Sequence, residues 1–499
     1  MLAVNTANVA QRSLSAVVWN YAGAIARALA QLGVQVVLAR VLGPQVYGQF
    51  AVLLVVIGFG WLLAESGMGA ALIQMQEVTD DAIRQAIGAV LLQGGIVGLA
   101  LMGAAPYLAS LFDEPALTGP LMVCGPLVVL QGLCNIPASL MRRNFDMKRW
   151  QLIQVGAYVT SFGGLGIALA LTGWGVWSLV AAFACQSFIA VLAAYSIVRH
   201  PLRPLFRMSA GLRSYSAKVL GSALASWAVD TLDRAIVGRI WGVTALGAYS
   251  AALGLARAPA TLLSHSVHSV SLAMASRLQS DNERLCRGYC AVSAGMALVL
   301  LPAFALLAVA SEPLILLLYG DRWIEAIPLF RAFAVAMPCY VLATNTASFM
   351  WATGSVGKEL ASQLLVATVL LLGFAVSGAL PLSLAVWLVP IAHALRSLML
   401  YLLLSRRIGL AHRRFARALA GGLVLAAAAV GAWLLSGWLP LEAYPRPAVI
   451  VRFAFVGLLL VALVVATRGL LIGEELCGVL RGRLPSNRVG RLVSRVLGL

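Results

Sequence analysis

The chain has 499 residues, 61% of them hydrophobic and only 11% charged, with 36 Lys and Arg against 18 Asp and Glu for a net charge of +18. A soluble domain carries about 25% charged residues, so the composition excludes one and leaves a polytopic membrane protein. No alternating ten-residue pattern suggests a membrane barrel, and in such a chain positive charge reports the side on which loops lie before it suggests a partner, so no nucleic-acid partner is expected.

Apolar runs place spanning helices near 15–41, 45–72, 86–112, 117–141, 151–172, 175–198, 216–241, 245–275, 287–311, 324–351, 359–379, 382–405, 416–438 and 447–471, fourteen in all. The first follows a single basic residue, Arg12, and lacks a small-residue cleavage site, so it reads as a retained span rather than a signal peptide. Seven cysteines lie scattered, with no CxxC pair and no His at ligand spacing, so no metal site is expected.

The connections alternate. One set carries Arg84, then Arg142, Arg143, Lys148 and Arg149, then the run from Arg199 to Lys218, then Arg277, Arg284 and Arg287, then Lys358, then Arg406 to Arg417. The other set is short or acidic, as at Asp113-Glu114 and Ser377-Gly378. The positive-inside rule puts the first set and both termini in the cytoplasm. A basic tail over 472–499 places Arg488, Arg491 and Arg495 on one helical face, which suits either a helix on an anionic leaflet or an unstructured tail.

An internal repeat organises the chain. At a constant offset of 199, Arg40, Gly43, Gly48 and Phe50 align with Arg239, Gly242, Gly247 and Tyr249. Asp80-Asp81 with Arg84 answers Asp281 with Glu283-Arg284, and Ser139-Leu140-Met141 answers Ser348-Phe349-Met350. The domains that follow are a six-helix bundle over 1–200, a cytoplasmic linker over 201–215, a second six-helix bundle over 216–405, two additional spans over 406–471 and the tail. Six is even, so the two bundles run parallel, one of the repeat arrangements of secondary transporters, whose substrate site lies between the halves.

Ionisable groups at membrane depth are costly and mark functional candidates. Arg27, Gln31 and Gln35 form a stripe at i, i+4, i+8, with Arg27 about 13 residues from either end of its span; Arg27 either meets substrate or pairs with Glu65. Asp230 and Arg234 stand i, i+4 and are expected to pair, while Asp233 turns away. Arg257 precedes Pro259, where a bend is predicted, and suits an anionic group; Asn345 is a weaker candidate. Glu65, Asp233, His265 and His268 are candidates for proton or ion coupling, and Arg396 is expected to snorkel to the interface. No Walker loop, nucleophile elbow or catalytic carboxylate pair occurs, so no catalytic residues, and no enzyme, are expected.

Trp19-Asn20, the Ala39-Arg40-x-Leu42-Gly43-Pro44-x-x-Tyr47-Gly48 turn, Glu65-Ser66-Gly67-Met68-Gly69 with the residues to Gln74, and Leu232-Asp233-Arg234 to Arg239 resemble the oligosaccharide flippases of the MOP exporter superfamily, above all the subgroup around the colanic acid flippase. The resemblance covers about 1–405. It implies an all-α, V-shaped pair of six-helix bundles around a cationic cavity in the bacterial inner membrane. It implies translocation of undecaprenyl-pyrophosphate-linked oligosaccharide from the cytoplasmic to the periplasmic leaflet, driven by a Na+ or H+ gradient through alternating access, by a monomer working beside a polymerase and export machinery. Where the subgroup often has a basic residue early in span eight, this chain has Gly254, with Arg257 three positions on. A multidrug-type exporter and a lipid II flippase are the neighbouring readings, and a membrane glycan polymerase or ligase is the reading from another class.

Overall fold

A computed structural model describes residues 6–65, 67–75, 77–201, 203–206, 210–438 and 445–467. The expected surface helix with Arg488, Arg491 and Arg495, the rest of the tail and the last residues of the final span lie outside these. Among the described residues the chain is helical, without strands, as expected of an all-α membrane protein. The first half comprises α1 (Thr6–Glu65), α2 (Met68–Gln74), α3 (Asp80–Leu111), α4 (Thr118–Arg143), α5 (Met147–Tyr158), α6 (Ile167–Leu171) and α7 (Val176–Ile197). Then come α8 (Ala210–Leu278), α9 (Asn282–Val309), α10 (Ser311–Leu318), α11 (Ala326–Ala352), α12 (Val356–Val376), α13 (Leu382–Ala385), α14 (Leu388–Ile408), α15 (His412–Leu435) and α16 (Pro445–Ala466).

Eleven described helical segments are long and apolar enough to cross a membrane, against the fourteen expected. Two of the eleven, in α1 and α8, are each broken by one residue, and Ala448–Val464 is shorter than a full span. The breaks are Gly43 (φ 78°, ψ 175°) and Gly242 (φ 86°, ψ 169°), equivalent positions of the repeat. A side chain resists that backbone conformation and glycine does not. Pro44 then opens the next helical segment at a position whose N–H would have no partner anyway. The bend after Gly43 brings the Tyr47 hydroxyl to the carbonyl of Gln35, which it donates to at 3.0 Å.

The acidic residues of the repeat prove to be helix starts. Thr79 accepts from the Ala82 N–H at 3.2 Å, with Asp80 and Asp81 in the first turn of α3. Asp281 accepts from the Arg284 N–H at 3.0 Å ahead of α9. A side-chain oxygen there satisfies an N–H that the helix cannot, and a negative charge suits the helix dipole.

The chain divides into two compact units, Met1–Ser250 and Ala251–Leu499, so α8 contributes to both. In the first unit α3 lies along α4, with Met68, Ile87, Val90, Ile136 and Leu140 in one apolar cluster. A second cluster joins Leu38 of α1 to Phe162, Leu179 and Ala182. Between α5 and α6 the backbone widens into a π-helix over Val159–Gly166. In the second unit α11 lies along α14 and α9 along α15. Gly422 of α15 sits so close to α9 that a Cβ there would come within 2.5 Å of the Ala297 carbonyl oxygen. The first of the two additional helices is therefore part of that unit's core. Outward positions carry bare apolar side chains such as Leu99 and Leu192, which suits a lipid solvent.

Candidate functional site

Within the first unit, at the end where α3, α4 and α5 carry their basic residues, lies a cavity of about 350 Å³. The α4 residues Gln131, Asn135 and Arg142 line it because their spacing of four and seven puts them on one helix face. Trp61 and Glu65 enter from the end of α1, Gly69 and Ile73 from α2, and Trp150 and Gln154 from α5.

A relay of hydrogen bonds crosses this cavity. Arg142 donates from Nη2 to Asn135 Oδ1 at 2.8 Å, and Asn135 donates from Nδ2 to Glu65 Oε1 at 2.5 Å. The Gly69 N–H donates to the same carboxylate oxygen at 3.2 Å. Thus Asn135 bridges a guanidinium and a carboxylate through one side chain. Gly69 leaves room for this: a Cβ would come within 2.5 Å of Asn135 Nδ2 and 2.6 Å of Ser139 Oγ, and those side chains would have to shift. The neighbouring Arg143 points elsewhere, donating to the carbonyls of Leu72, Ile73 and Met75 at the end of α2. Two polar atoms at the cavity wall, Trp61 Nε1 and Ser139 Oγ, are buried without a hydrogen-bond partner among the described residues.

Of the residues predicted from sequence, Glu65 alone lines this cavity. Arg27 is half-buried and interacts electrostatically with Tyr158, and it does not pair with Glu65. The reason is length: at 1.5 Å per residue Arg27 lies about 24 Å from the Gly43 break and Glu65 about 33 Å beyond it, so their levels differ by about 9 Å. Gln31 and Gln35 are half-buried on the same helix and Asp230 is exposed. Arg234 makes no ion pair with Asp230 among the described residues; its N–H instead donates to Asp233 Oδ1 at 2.8 Å. Asp233 gains a partner the sequence did not suggest, the Tyr249 hydroxyl at 2.8 Å, across the Gly242 break.

In the second unit Arg257 lies over the ring of Tyr340 at 5.7 Å. Asn345 is buried, accepting from Ser271 Oγ at 2.8 Å and donating to Ser293 Oγ at 3.3 Å. His268 Nδ1 stands 2.7 Å from Ser348 Oγ, and the His265 side chain lies outside the described ones. Arg396 does not snorkel. It is buried and donates to Glu359 Oε1 at 2.9 Å, while Gln363 donates to the same oxygen at 2.7 Å.

Sequence reasoning missed Arg142, Asn135, Gln131 and Glu359. The signal for the first three was present in their shared helix face, but Arg142 ends a span, where a basic residue is expected to be a surface topology marker.

The family model described as polysaccharide biosynthesis protein matches residues 37–328. The succinoglycan biosynthesis transport protein ExoT of Rhizobium meliloti (strain 1021) is 26% identical over 307 residues, 60% of this chain and 61% of its own length. The lipopolysaccharide biosynthesis protein WzxC of Escherichia coli (strain K12) is 22% identical over 310 residues, 60% of this chain and 61% of its own length. The chain therefore matches about three fifths of the length of these curated relatives. Among solved structures, the lipid II flippase MurJ in an inward closed conformation superposes with a TM-score of 0.71 at 13% identity, over 90% of this chain and 98% of that one. An inward-facing multidrug resistance MATE family transporter of the MOP superfamily gives 0.57 at 15% identity, over 77% and 94%. These two establish the fold.

Proposed function

The chain belongs to the polysaccharide biosynthesis protein family, and from that premise we propose that it translocates a lipid-linked oligosaccharide across the membrane it spans. The observation that carries this reading is the polar cavity inside the first unit: a guanidinium, a carboxylate, amides and two indoles gathered within a bundle whose outside is apolar. Polar groups are held inside a membrane bundle where they meet a ligand or an ion pathway. Hydroxyl-rich cargo fits such a wall, and the lipid part of the carrier stays in the bilayer.

The carrier in this reading is undecaprenyl pyrophosphate and the direction is from the cytoplasmic to the periplasmic leaflet of a bacterial inner membrane. The basic end of the first unit, with Arg84, Arg142, Arg143 and Lys148, is then the cytoplasmic end, and both termini lie on that side. The cavity thus opens where newly made cargo is found. A Na+ or H+ gradient supplies the drive, with Glu65, Asp233 and His268 as its candidate groups, and no bond in the cargo is made or broken. The protein works as a monomer and passes cargo to a polymerase.

The test is a chromosomal deletion followed by extraction of the inner-membrane lipids. The expected result is loss of surface or secreted polysaccharide with a lipid-linked oligosaccharide accumulating on the cytoplasmic side, reversed by the intact gene. Normal polymer with no accumulating intermediate would sink the proposal.

A further inference from the structure

We infer that the cavity in the first unit is a subsite for an uncharged sugar, which leaves the pyrophosphate of the cargo to other groups. This rests on the translocation reading and assigns the part of the cargo that this site takes. The volume of about 350 Å³ lies near the lower end of small-molecule pockets, room for about one or two sugar rings and not for a whole repeat unit.

Charge decides between sugar and phosphate. Arg142 and Glu65 both line the cavity and are tied through Asn135, so the wall offers balanced charge. A pyrophosphate attracted by Arg142 would bring its negative charges beside the Glu65 carboxylate, where like charges at short range cost several kcal/mol in a partly buried site. A hydroxyl donates one hydrogen bond and accepts others, so it suits both partners at once.

The unsatisfied atoms fit the same ligand. Ser139 is 1% exposed, and its Oγ has no hydrogen-bond partner among the described residues. The Trp61 Nε1 donor is also buried and unpartnered. A buried polar atom without a partner costs about 1–3 kcal/mol, a cost that an arriving hydroxyl removes. Both Glu65 bonds fall on Oε1, which leaves Oε2 to accept from the ligand. The Trp61 and Trp150 rings add flat apolar surface for the C–H face of a pyranose.

The test is saturation-transfer NMR on the purified full-length protein in lipid nanodiscs. The probes are galactose, glucose, lactose and cellobiose, with inorganic pyrophosphate as competitor. At least one sugar is expected to receive saturation, and pyrophosphate is expected to leave that signal in place. Ser139→Ala, which removes a hydroxyl with little change of shape, and Trp61→Phe, which removes the indole N–H and keeps a smaller aromatic ring, are expected to raise the sugar Kd at least about 3- to 10-fold each, the factor for one net hydrogen bond. No saturation transfer to any of the four sugars, or displacement of the sugar by pyrophosphate, overturns the assignment without recourse to a variant. Unchanged affinity in both variants also overturns it. The translocation reading fails on different grounds, in the deletion strain, so the two failures are distinguishable.

Discussion

Gly48 and Gly247 hold equivalent places 199 residues apart, and each lies against the other's turn: a Cβ on Gly48 would overlap the carbonyl oxygen of Val243, and one on Gly247 that of Pro44. Pro44 and Val243 are themselves equivalent, so the contact is reciprocal. Gly48→Val is expected to force the two turns apart while leaving Gly43 and Gly242 able to bend the chain. Spin labels at the exposed positions Gln45 and Thr244, in a background without the seven native cysteines, should report a longer distance in the variant. An unchanged distance distribution would show that the turns have room to spare.

Two ion pairs set up a comparison of magnitudes. Glu359 and Arg396 have side chains only 5% and 10% exposed, whereas Asp113 and Arg239 are 80% and 53% exposed at a similar separation of 3.0 Å. Removing one partner of a buried pair costs about 3–5 kcal/mol, an exposed one about 0–1 kcal/mol. Thermal unfolding in detergent should therefore fall sharply for Arg396→Leu and barely for Asp113→Ala. The double variant Glu359→Leu/Arg396→Leu should recover much of the loss, since it leaves no buried charge alone. Equal effects from both single variants would refute the distinction.

Gly69→Ala separates function from stability. Alanine favours a helix over glycine by up to about 1 kcal/mol, but its Cβ would press on Asn135 Nδ2 and on Glu65 Oε1, 2.8 Å away. The expected outcome is a protein of near-normal thermal stability that no longer supports polymer export. Full export by this variant would mean that the Arg142–Asn135–Glu65 relay is dispensable.

Arg27→Ala is expected to abolish surface polysaccharide without abolishing membrane expression, and Arg27→Lys to retain part of it. Arg27 makes no salt bridge among the described residues, so its loss strands no carboxylate. Immunoblotting of membranes beside polymer quantification checks both halves of the prediction, and normal polymer from the alanine variant would remove Arg27 from the cargo path.

The parts of the fold that were legible are those with a backbone reason. Gly43 and Gly242 declared the two breaks because few other residues adopt those angles. The acidic residues near Thr79 and at Asp281, by contrast, read only as members of the repeat, with spans expected from 86 and 287, and their place at helix starts came from the structure. The polar interior was legible only in part. Helix spacing identifies which residues share a face, as with Gln131, Asn135 and Arg142, but not which face meets a neighbour, so Asp230 and Arg234 were expected to join and do not. The Glu359–Arg396 pair joins α12 to α14, residues 37 apart, and nothing local signals it. The π-helix over Val159–Gly166 likewise has no sequence pattern that sets it apart from an α-helix.

The segment leading into α8 is fastened to α3. The Leu205 N–H donates to the Arg84 carbonyl at 2.9 Å, Arg84 Nε donates to the Arg203 carbonyl at 3.2 Å, and Gly88 leaves room for the Leu205 carbonyl. From Leu205 to the first residue of α8 at Ala210 the backbone can reach at most about 18 Å. The connection between the repeats is thus a short leash tied at one end to the first turn of α3. Any displacement of the start of α8 beyond that reach would have to pull on Arg84, in the helix that packs along the cavity's own α4.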